Sequence, residues 1–365
     1  KENKMRILGL TDMVIGEQQL GKVLKNTFPG AEIRYLKWPP TARDVFSKEN
    51  LNIEKNGPEV GIPIPGILET IKEFDPEIII THFAPVTREA IEKAKNLEII
   101  GCLRGGVENI NVEAASHRNI IVFNNSGRTA NAVAEFTLAH MLVVSRNTSI
   151  GYNALQNGQW WKPETHPSEI YGSTIGLIGF GAVSQKLSER LKGFDVKILA
   201  YDPYIPDEVL EEYGAKRVEL KELLSQSDFV SLHSRLTPET QSIIGEAELK
   251  MMKPTAYLIN TARADLIERE ALIKALQTKQ IKGAALDVFW QEPLSKDDPL
   301  LKLNNVSLTP HLAGATMQTG QRTLTLLFES MQEFLKNHKS RSIVNFKTAE
   351  QKKIAATMKL VREAK

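Results

Sequence analysis

The chain alternates short β-branched, apolar runs with stretches whose apolar positions recur every three or four residues. That alternation predicts parallel sheets built from βαβ units. In the first third, strands are expected at "MRILGL" (5–10), "EIRYL" (32–36), "EIIIT" (77–81), "EIIGCL" (98–103) and "IIVFN" (120–124). Helical stretches such as "EQQLGKVLKNTF" and "TREAIEKAKN" lie between them. Residues 129–157 are apolar-faced throughout and predict one long helix, buried in a core or in an inter-domain or dimer contact. A second alternation begins at "STIGLIGFG" (173–181). It continues through strands at 196–202, 229–234, 256–262, 283–289 and 305–310. Six strands separated by helices match a complete doubly wound fold. A long helix near 315–338, a short strand "SIVNF" and an exposed helix in "AEQKKIAATMKLVREAK" are expected to follow.

At 365 residues, two domains are the default expectation. Hydrophobic residues at 42% and charged residues at 25% place the chain among ordinary soluble globular proteins. A net charge of +2 argues against nucleic acid or an acidic membrane as partner. No apolar run reaches the length of a membrane span. The opening "KENKMRILGL" lacks the apolar core of a signal peptide. Cys102 is the single cysteine, so neither an intrachain disulfide nor a thiolate zinc site is expected. A reducing cytoplasm fits that usage, and no metal is implied.

Directly after the strand "TIGLIG" comes Gly179-Phe180-Gly181-Ala182-Val183-Ser184, opening a helical stretch. Gly179 allows a tight turn, and Gly181 lets backbone approach a pyrophosphate at the positive end of a helix. Ser184 stands where the third glycine of this fingerprint is usual. The next strand ends at Asp202, about 20 residues further on, where an acid accepts bonds from ribose hydroxyls and repels a ribose phosphate. The pattern predicts NAD rather than NADP. A plain turn at the glycines and a capping aspartate before Pro203 are the alternatives.

Three later strands run into polar residues: "LINTARAD" carries Arg263, "LDVFWQEP" carries Asp287 and Glu292, and "LTPHLAGAT" carries His311. Ligands of open α/β sheets gather beyond the carboxyl ends of strands. Together with "GFGAVS", "YDP" and "VSLH…LTPET", these motifs make the sequence resemble the D-isomer-specific 2-hydroxyacid dehydrogenase family, phosphoglycerate dehydrogenases included. The resemblance implies a Rossmann-type NAD domain over about 126–316. It also implies a flavodoxin-like substrate domain from 1–125 and 317–347, a tail helix at 348–365, and a homodimer. Hinges are expected near 124–126 and just after His311. Arg263, Glu292 and His311 are the implied catalytic residues. A secondary alcohol gives up hydride only as its hydroxyl proton leaves, so a base that titrates near neutrality is needed, and His311 suits that task. Glu292 would orient the imidazole, and Arg263 offers a planar fork to the substrate carboxylate. Further NAD contacts are implied at Ala182, Val183, Ser234, Thr261, Ala262, Asp287, Ala313 and Gly314, with Asp287 meeting the nicotinamide carboxamide.

The resemblance also implies that "CLRGGVEN" (102–109) forms the substrate loop, with Gly105 and Gly106 offering amides to a carboxylate; a simple turn is the alternative. Here Cys102 replaces the arginine usual at that position, and Arg104 stands two residues later, placed for the distal end of a substrate. His82-Phe83 follows "EIIIT", where phosphoglycerate-oxidising members commonly carry an arginine; His82 joins the expected substrate contacts. Ala264 replaces a usual glycine and Arg235 a usual proline. The stretch beyond residue 347 is too short for the regulatory domain some phosphoglycerate members carry. The expected activity is hydride transfer between NAD and a small 2-hydroxy or 2-keto acid, 3-phosphoglycerate-like acids among them. A formate- or phosphite-type dehydrogenase and a non-catalytic NAD-sensing corepressor relative are the other readings.

Overall fold

The computed structural model describes residues 4–38, 52–53, 56–160, 162 and 166–360. The chain divides into two compact units: Lys1–Arg128 with Met317–Lys365, and Thr129–Thr316. The first unit holds a five-stranded sheet made of β1 (Arg6–Thr11), β2 (Glu32–Lys37), β3 (Ile78–Thr81), β4 (Ile99–Cys102) and β5 (Ile121–Phe123). Their order is β2-β1-β3-β4-β5 and every pairing is parallel. This is the flavodoxin-like winding. Strands β3, β4 and β5 are buried along their whole length, as a sheet covered on both faces requires. One face packs Leu8, Leu10, Ile79, Ile100 and Val122; the other packs Ile7, Ile78, Ile80, Ile99 and Phe123.

The second unit contains β6 (Thr174–Ile178), β7 (Lys197–Tyr201), β8 (Ala215–Arg217), β9 (Phe229–Leu232), β10 (Tyr257–Asn260), β11 (Gly283–Leu286) and β12 (Val306–Leu308). All pairings are parallel, in the order β12-β11-β10-β9-β6-β7-β8. Counted from β6, the first six give the Rossmann order, flanked by one more strand. The chain enters at β6, winds out to β8, then returns across β6 to β9. The carboxyl ends of β6 and β9 therefore border the point where the winding reverses.

Four sequence expectations are corrected. The stretch 129–157 is two helices, Ala130–Arg146 and Thr148–Gln156, because Asn147 adopts a left-handed conformation at φ 55° and ends the first. Asparagine tolerates that conformation better than most residues. β8 was not expected; three residues of mixed polarity carry no period. "SIVNF" is no strand, and Ile343 makes only an isolated antiparallel bridge to Phe123. The tail is not an exposed helix. Its helix Thr348–Ala355 buries Gln351, Ile354 and Ala355, and Met358 and Leu360 beyond it join the core of the first unit. Residues 361–365 of that expectation lie outside the described residues. Among the described residues, no helix is long and apolar enough to cross a membrane, and no cluster of potential ligands could hold a metal ion.

Leu360 is fully buried. Leu360→Ala is expected to cost about 2–5 kcal/mol, the range for a core leucine truncation. The check is the urea midpoint; a shift no larger than for an exposed leucine would place the tail outside the core.

Candidate active site

The glycine turn owes its shape to a close approach between strand ends. Gly179, directly after β6, has φ +88°, and a Cβ there would lie 2.6 Å from the Ser234 nitrogen beyond β9. No side chain fits. Gly181 differs: it precedes the helix Ala182–Leu191, and a Cβ there would meet nothing within 4 Å. Open space thus faces the first turn of a helix whose leading amides have no intrahelical acceptor. The Ser234 hydroxyl oxygen beside the turn is buried without a hydrogen-bond partner. An open cradle, free amides and an orphaned hydroxyl fit a pyrophosphate-bearing cofactor. Ser184 is fully buried in the third glycine's place and donates to the Gly179 carbonyl at 2.6 Å, so the departure reinforces the turn.

Asp202 directly follows the strand β7 and supports the same turn. Its Oδ2 accepts from the Phe180 amide at 2.7 Å. Its Oδ1 accepts from the amides of Tyr204 and Ile205 at 2.9 and 3.2 Å. The carboxylate is half-buried and Oδ2 retains a lone pair for a further donor.

Beyond β11 and β12 stand the histidine and its carboxylates. His311 Nδ1 lies 2.9 Å from Glu292 Oε2, and Glu292 Oε1 accepts from the Phe289 amide at 2.9 Å. Burial pushes the Glu292 carboxyl up. The bond and charge of His311, the Phe289 amide and the charge of Arg263 outweigh that and hold it below its ordinary value. Arg263, after β10, is exposed, and its Nη1 donates to the Ala262 carbonyl at 2.8 Å. His311 itself has φ 54°, a left-handed backbone costing roughly 1–2 kcal/mol for a residue with a Cβ.

Asp287 holds that backbone in place. It is fully buried. Its Oδ1 accepts from the Thr309 hydroxyl at 2.6 Å and the Leu312 amide at 2.8 Å, and its Oδ2 accepts from the Ala313 amide at 2.8 Å. Residues on both sides of His311 are thus tied to one carboxylate. Because the Thr309 hydroxyl donates to Asp287, it accepts from His140 Nε2, 3.0 Å away. Burial lowers the His140 pKa against the opposing pull of Asp287, which keeps the ring neutral. Asp287 presents no exposed surface to a carboxamide, so the contact expected from the sequence is replaced here by an anchoring role. Thr261 is similarly engaged, its hydroxyl 2.8 Å from that of Thr137. Ala182 is exposed and Val183 and Ala262 are half-buried, while Ala313 is buried and Gly314 packs against Thr129.

The first unit has its own reversal point, between β1 and β3. Asp12 follows β1 and His82 follows β3, with His82 Nδ1 2.9 Å from Asp12 Oδ2. Asp12 Oδ1 also accepts from the amides of Val14 and Ile15, at 2.8 Å each. Burial lowers the His82 pKa, overriding Asp12, with the charges of Arg128 and Arg104 acting the same way. His82 is enclosed rather than presented, and this corrects its expected role as a substrate contact: it supports Phe83, its ring 4.1 Å away. Arg104 is also buried, its guanidinium 4.9 Å from the Phe83 ring centre and its Nη2 3.9 Å from Glu108 Oε2. Gly105 is exposed, and neither its amide nor that of Gly106 is donated to a described residue. Sequence reasoning missed Asp12, Arg128, Thr137, His140 and Thr309. Only Thr309, inside the "LTPH" motif, carried a signal.

A doubly wound sheet with this glycine turn defines a dinucleotide-binding domain. Residues 138–313 match the family described as D-isomer specific 2-hydroxyacid dehydrogenase, NAD binding domain. A D-3-phosphoglycerate dehydrogenase of Methanocaldococcus jannaschii is 39% identical over 295 residues, 80% of this chain and 56% of that protein. A glyoxylate reductase of Korarchaeum cryptofilum is 38% identical over 284 residues, 76% of this chain and 85% of that protein. A solved structure from Pyrococcus horikoshii OT3 matches with a TM-score of 0.76 at 26% identity, covering 97% of this chain and 98% of that one. The chain spans little more than half of the phosphoglycerate dehydrogenase and most of the glyoxylate reductase. It belongs to the D-isomer specific 2-hydroxyacid dehydrogenase family, whose NAD-binding domain it carries.

The two glycines are expected to fail differently. Gly179→Ala should lower the melting temperature, since its Cβ collides with backbone and its φ is positive. Gly181→Ala should leave melting unchanged yet weaken NADH binding at least tenfold, about 1.4 kcal/mol. Fluorescence titration with NADH beside thermal melts reads both, and full NADH affinity in the Gly181 variant would move the cofactor elsewhere.

Proposed function

We propose that the protein is an NAD-dependent oxidoreductase interconverting a small D-2-hydroxy acid and its 2-keto acid, with His311 as proton donor and acceptor. The observation that carries this is the His311–Glu292 couple at 2.9 Å, on a loop fixed by Asp287. NAD, when bound, takes up or supplies the hydride. With Nδ1–H donated to Glu292, Nε2 is the ring atom left to exchange a proton with the substrate oxygen. Glu292, held below its ordinary range, stays ionised at neutral pH and stabilises the imidazolium formed when the alcohol is oxidised. That contribution is present above about pH 4.5 and is lost as pH falls through the lowered Glu292 value. Exposed Arg263 offers its fork to the substrate carboxylate and polarises the adjacent carbonyl.

The reading extends to cofactor choice and assembly. The Asp202 carboxylate beside the turn favours ribose hydroxyls over a ribose phosphate. A homodimer is supported by Leu142, Tyr152 and Leu155, apolar side chains exposed on two consecutive helices. A reducing, cytoplasmic setting suits the single buried thiol, Cys102, which burial pushes up to about 11.

NADH is expected to be preferred over NADPH by at least about tenfold, roughly 1.4 kcal/mol. Asp202→Ser should erode that preference, and equal kcat/KM for the two cofactors in the parent protein would remove Asp202 from the ribose site.

His311→Asn should lower turnover of NADH with a 2-keto acid by about two to four orders of magnitude while sparing NADH binding. Glu292→Gln should be milder, and its reduction rate should decline at lower pH than that of the parent. Parent-like rates and pH profiles in both variants would refute the proton-transfer assignment.

A further inference from the structure

His140 takes no part in the reading above, yet it is an imidazole buried on a helix that serves the core. The helix Ala130–Arg146 sends Ala134, Met141 and Val144 into the apolar core of the second unit. His140 shares a face with Val144, one turn further on. Its ring packs edge-on against Phe136, with centroids 4.9 Å apart, and is almost fully enclosed. A polar ring in such a place costs desolvation unless its nitrogens are used. Nε2 is used, 3.0 Å from the Thr309 hydroxyl oxygen.

The direction of that bond is fixed by the next one. A threonine hydroxyl has one proton, and that of Thr309 goes to Asp287 Oδ1 at 2.6 Å. The bond therefore runs from His140 to Thr309, and the neutral ring carries its proton on Nε2. Asp287 in turn accepts from the Leu312 and Ala313 amides, both at 2.8 Å. The Thr309 backbone is pinned separately: its amide donates to the Leu286 carbonyl at 3.0 Å, and its carbonyl accepts from the His311 amide at 2.9 Å. A line of bonds thus runs from the helix to both sides of His311, wholly within the second unit. Without the His140 donor, the Thr309 hydroxyl turns freely and Asp287 Oδ1 loses a fixed partner. The carboxylate then swings away from the two amides, and the left-handed φ of 54° at His311 favours relaxation once they are released.

We propose that His140 is a positioning residue for proton transfer: its Nε2–H fixes the Thr309 hydroxyl on Asp287 and, through that carboxylate, the placement of His311. The proposal rests on the reading of His311 as proton donor and acceptor.

The test compares His140→Leu with His140→Gln. Leucine fills an apolar site but donates nothing, whereas glutamine keeps an N–H near the place of Nε2. Were His140 only packing, leucine would be the milder change; as a donor to Thr309, glutamine is. NADH oxidation is measured with glyoxylate, pyruvate and 3-phosphooxypyruvate, taking the acid the parent reduces fastest. His140→Leu is expected to lower kcat by about ten- to a hundredfold, the cost of a misplaced catalytic group. The keto acid KM and NADH affinity should stay near the parent's. The isotope effect on kcat from NADH deuterated at the transferred position should rise, since chemistry then limits turnover. His140→Gln should recover most of the loss. A parent-like kcat and isotope effect in His140→Leu, or leucine milder than glutamine, overturns the proposal. Two NMR readouts on the protein without substrate separate this inference from the one beneath it. In parent protein labelled with 15N-histidine, His140 should be the Nε2–H tautomer at neutral pH; the Nδ1–H form overturns the proposal without any variant having to fold. The Leu312 and Ala313 amide signals should shift in His140→Leu and return towards the parent's in His140→Gln, and unshifted signals in the leucine variant overturn the proposal. If none of the three acids is reduced but these signals follow that order, the hold on the loop stands and the reductase reading fails.

Discussion

In both sheets the chain begins in the middle, winds outward to one edge, and then crosses back to wind the other way. That reversal governs everything functional in this molecule. Neighbouring strands at the reversal point send their connections to opposite faces, so a crevice opens beyond their carboxyl ends. In the second unit the crevice lies between β6 and β9. There the backbones after Gly179 and before Ser234 approach so closely that only glycine fits. In the first unit it lies between β1 and β3, where Asp12 and His82 meet at 2.9 Å. The same topological constraint receives two chemical fillings: bare backbone where a pyrophosphate would lie, and a closed, hydrogen-bonded pair of a carboxylate and a neutral imidazole.

Two carboxylates near His311 show how environment divides labour between similar groups. Asp287 has no exposed surface, and its charge is compensated by two amides and a hydroxyl. A buried carboxylate so supplied is stable in charged form and holds its donors rigidly. It spends its bonding capacity on residues 309, 312 and 313, and this offsets the cost of the left-handed His311 backbone. Glu292 is less deeply enclosed and gives one oxygen to the Phe289 amide and the other to the imidazole. One acid fixes where the ring sits, and the other fixes which nitrogen is left for chemistry.

The architecture was legible because period and length agree. Apolar runs of four to six residues separated by helical spacing leave little but wound parallel sheets. Every strand except β8 falls on one of the apolar runs, and the glycine turn follows from "GFG" directly after one of them. What stayed hidden has identifiable causes. Asn147 breaks a helix through backbone conformation, while the apolar pattern continues across it. β8 pairs because β7 offers an edge, and its own sequence contributes nothing periodic. The tail looked amphipathic and solvated, yet Ile354, Met358 and Leu360 find a core assembled from distant segments. At the site, spacing cannot reveal that Thr309, Leu312 and Ala313 fold back onto Asp287. Only its burial and its bond to Asp12 show His82 facing inward.

A net charge of +2 conceals a strong local separation of sign. The second unit concentrates Asp202, Asp287 and Glu292 near its strand ends, each with its negative charge consumed by backbone amides, a hydroxyl or an imidazole. The first unit concentrates Arg104, Arg128 and Arg322, with an orphaned N–H and a neutral histidine among them. Asp287 and Glu292 are satisfied within the chain, whereas Asp202 keeps a lone pair for a further donor. The Arg128 Nε, buried without an acceptor, is different, because burial makes a missing bond expensive. Such an imbalance persists in a stable protein only if its cost is small beside the fold or is offset by a bound anion.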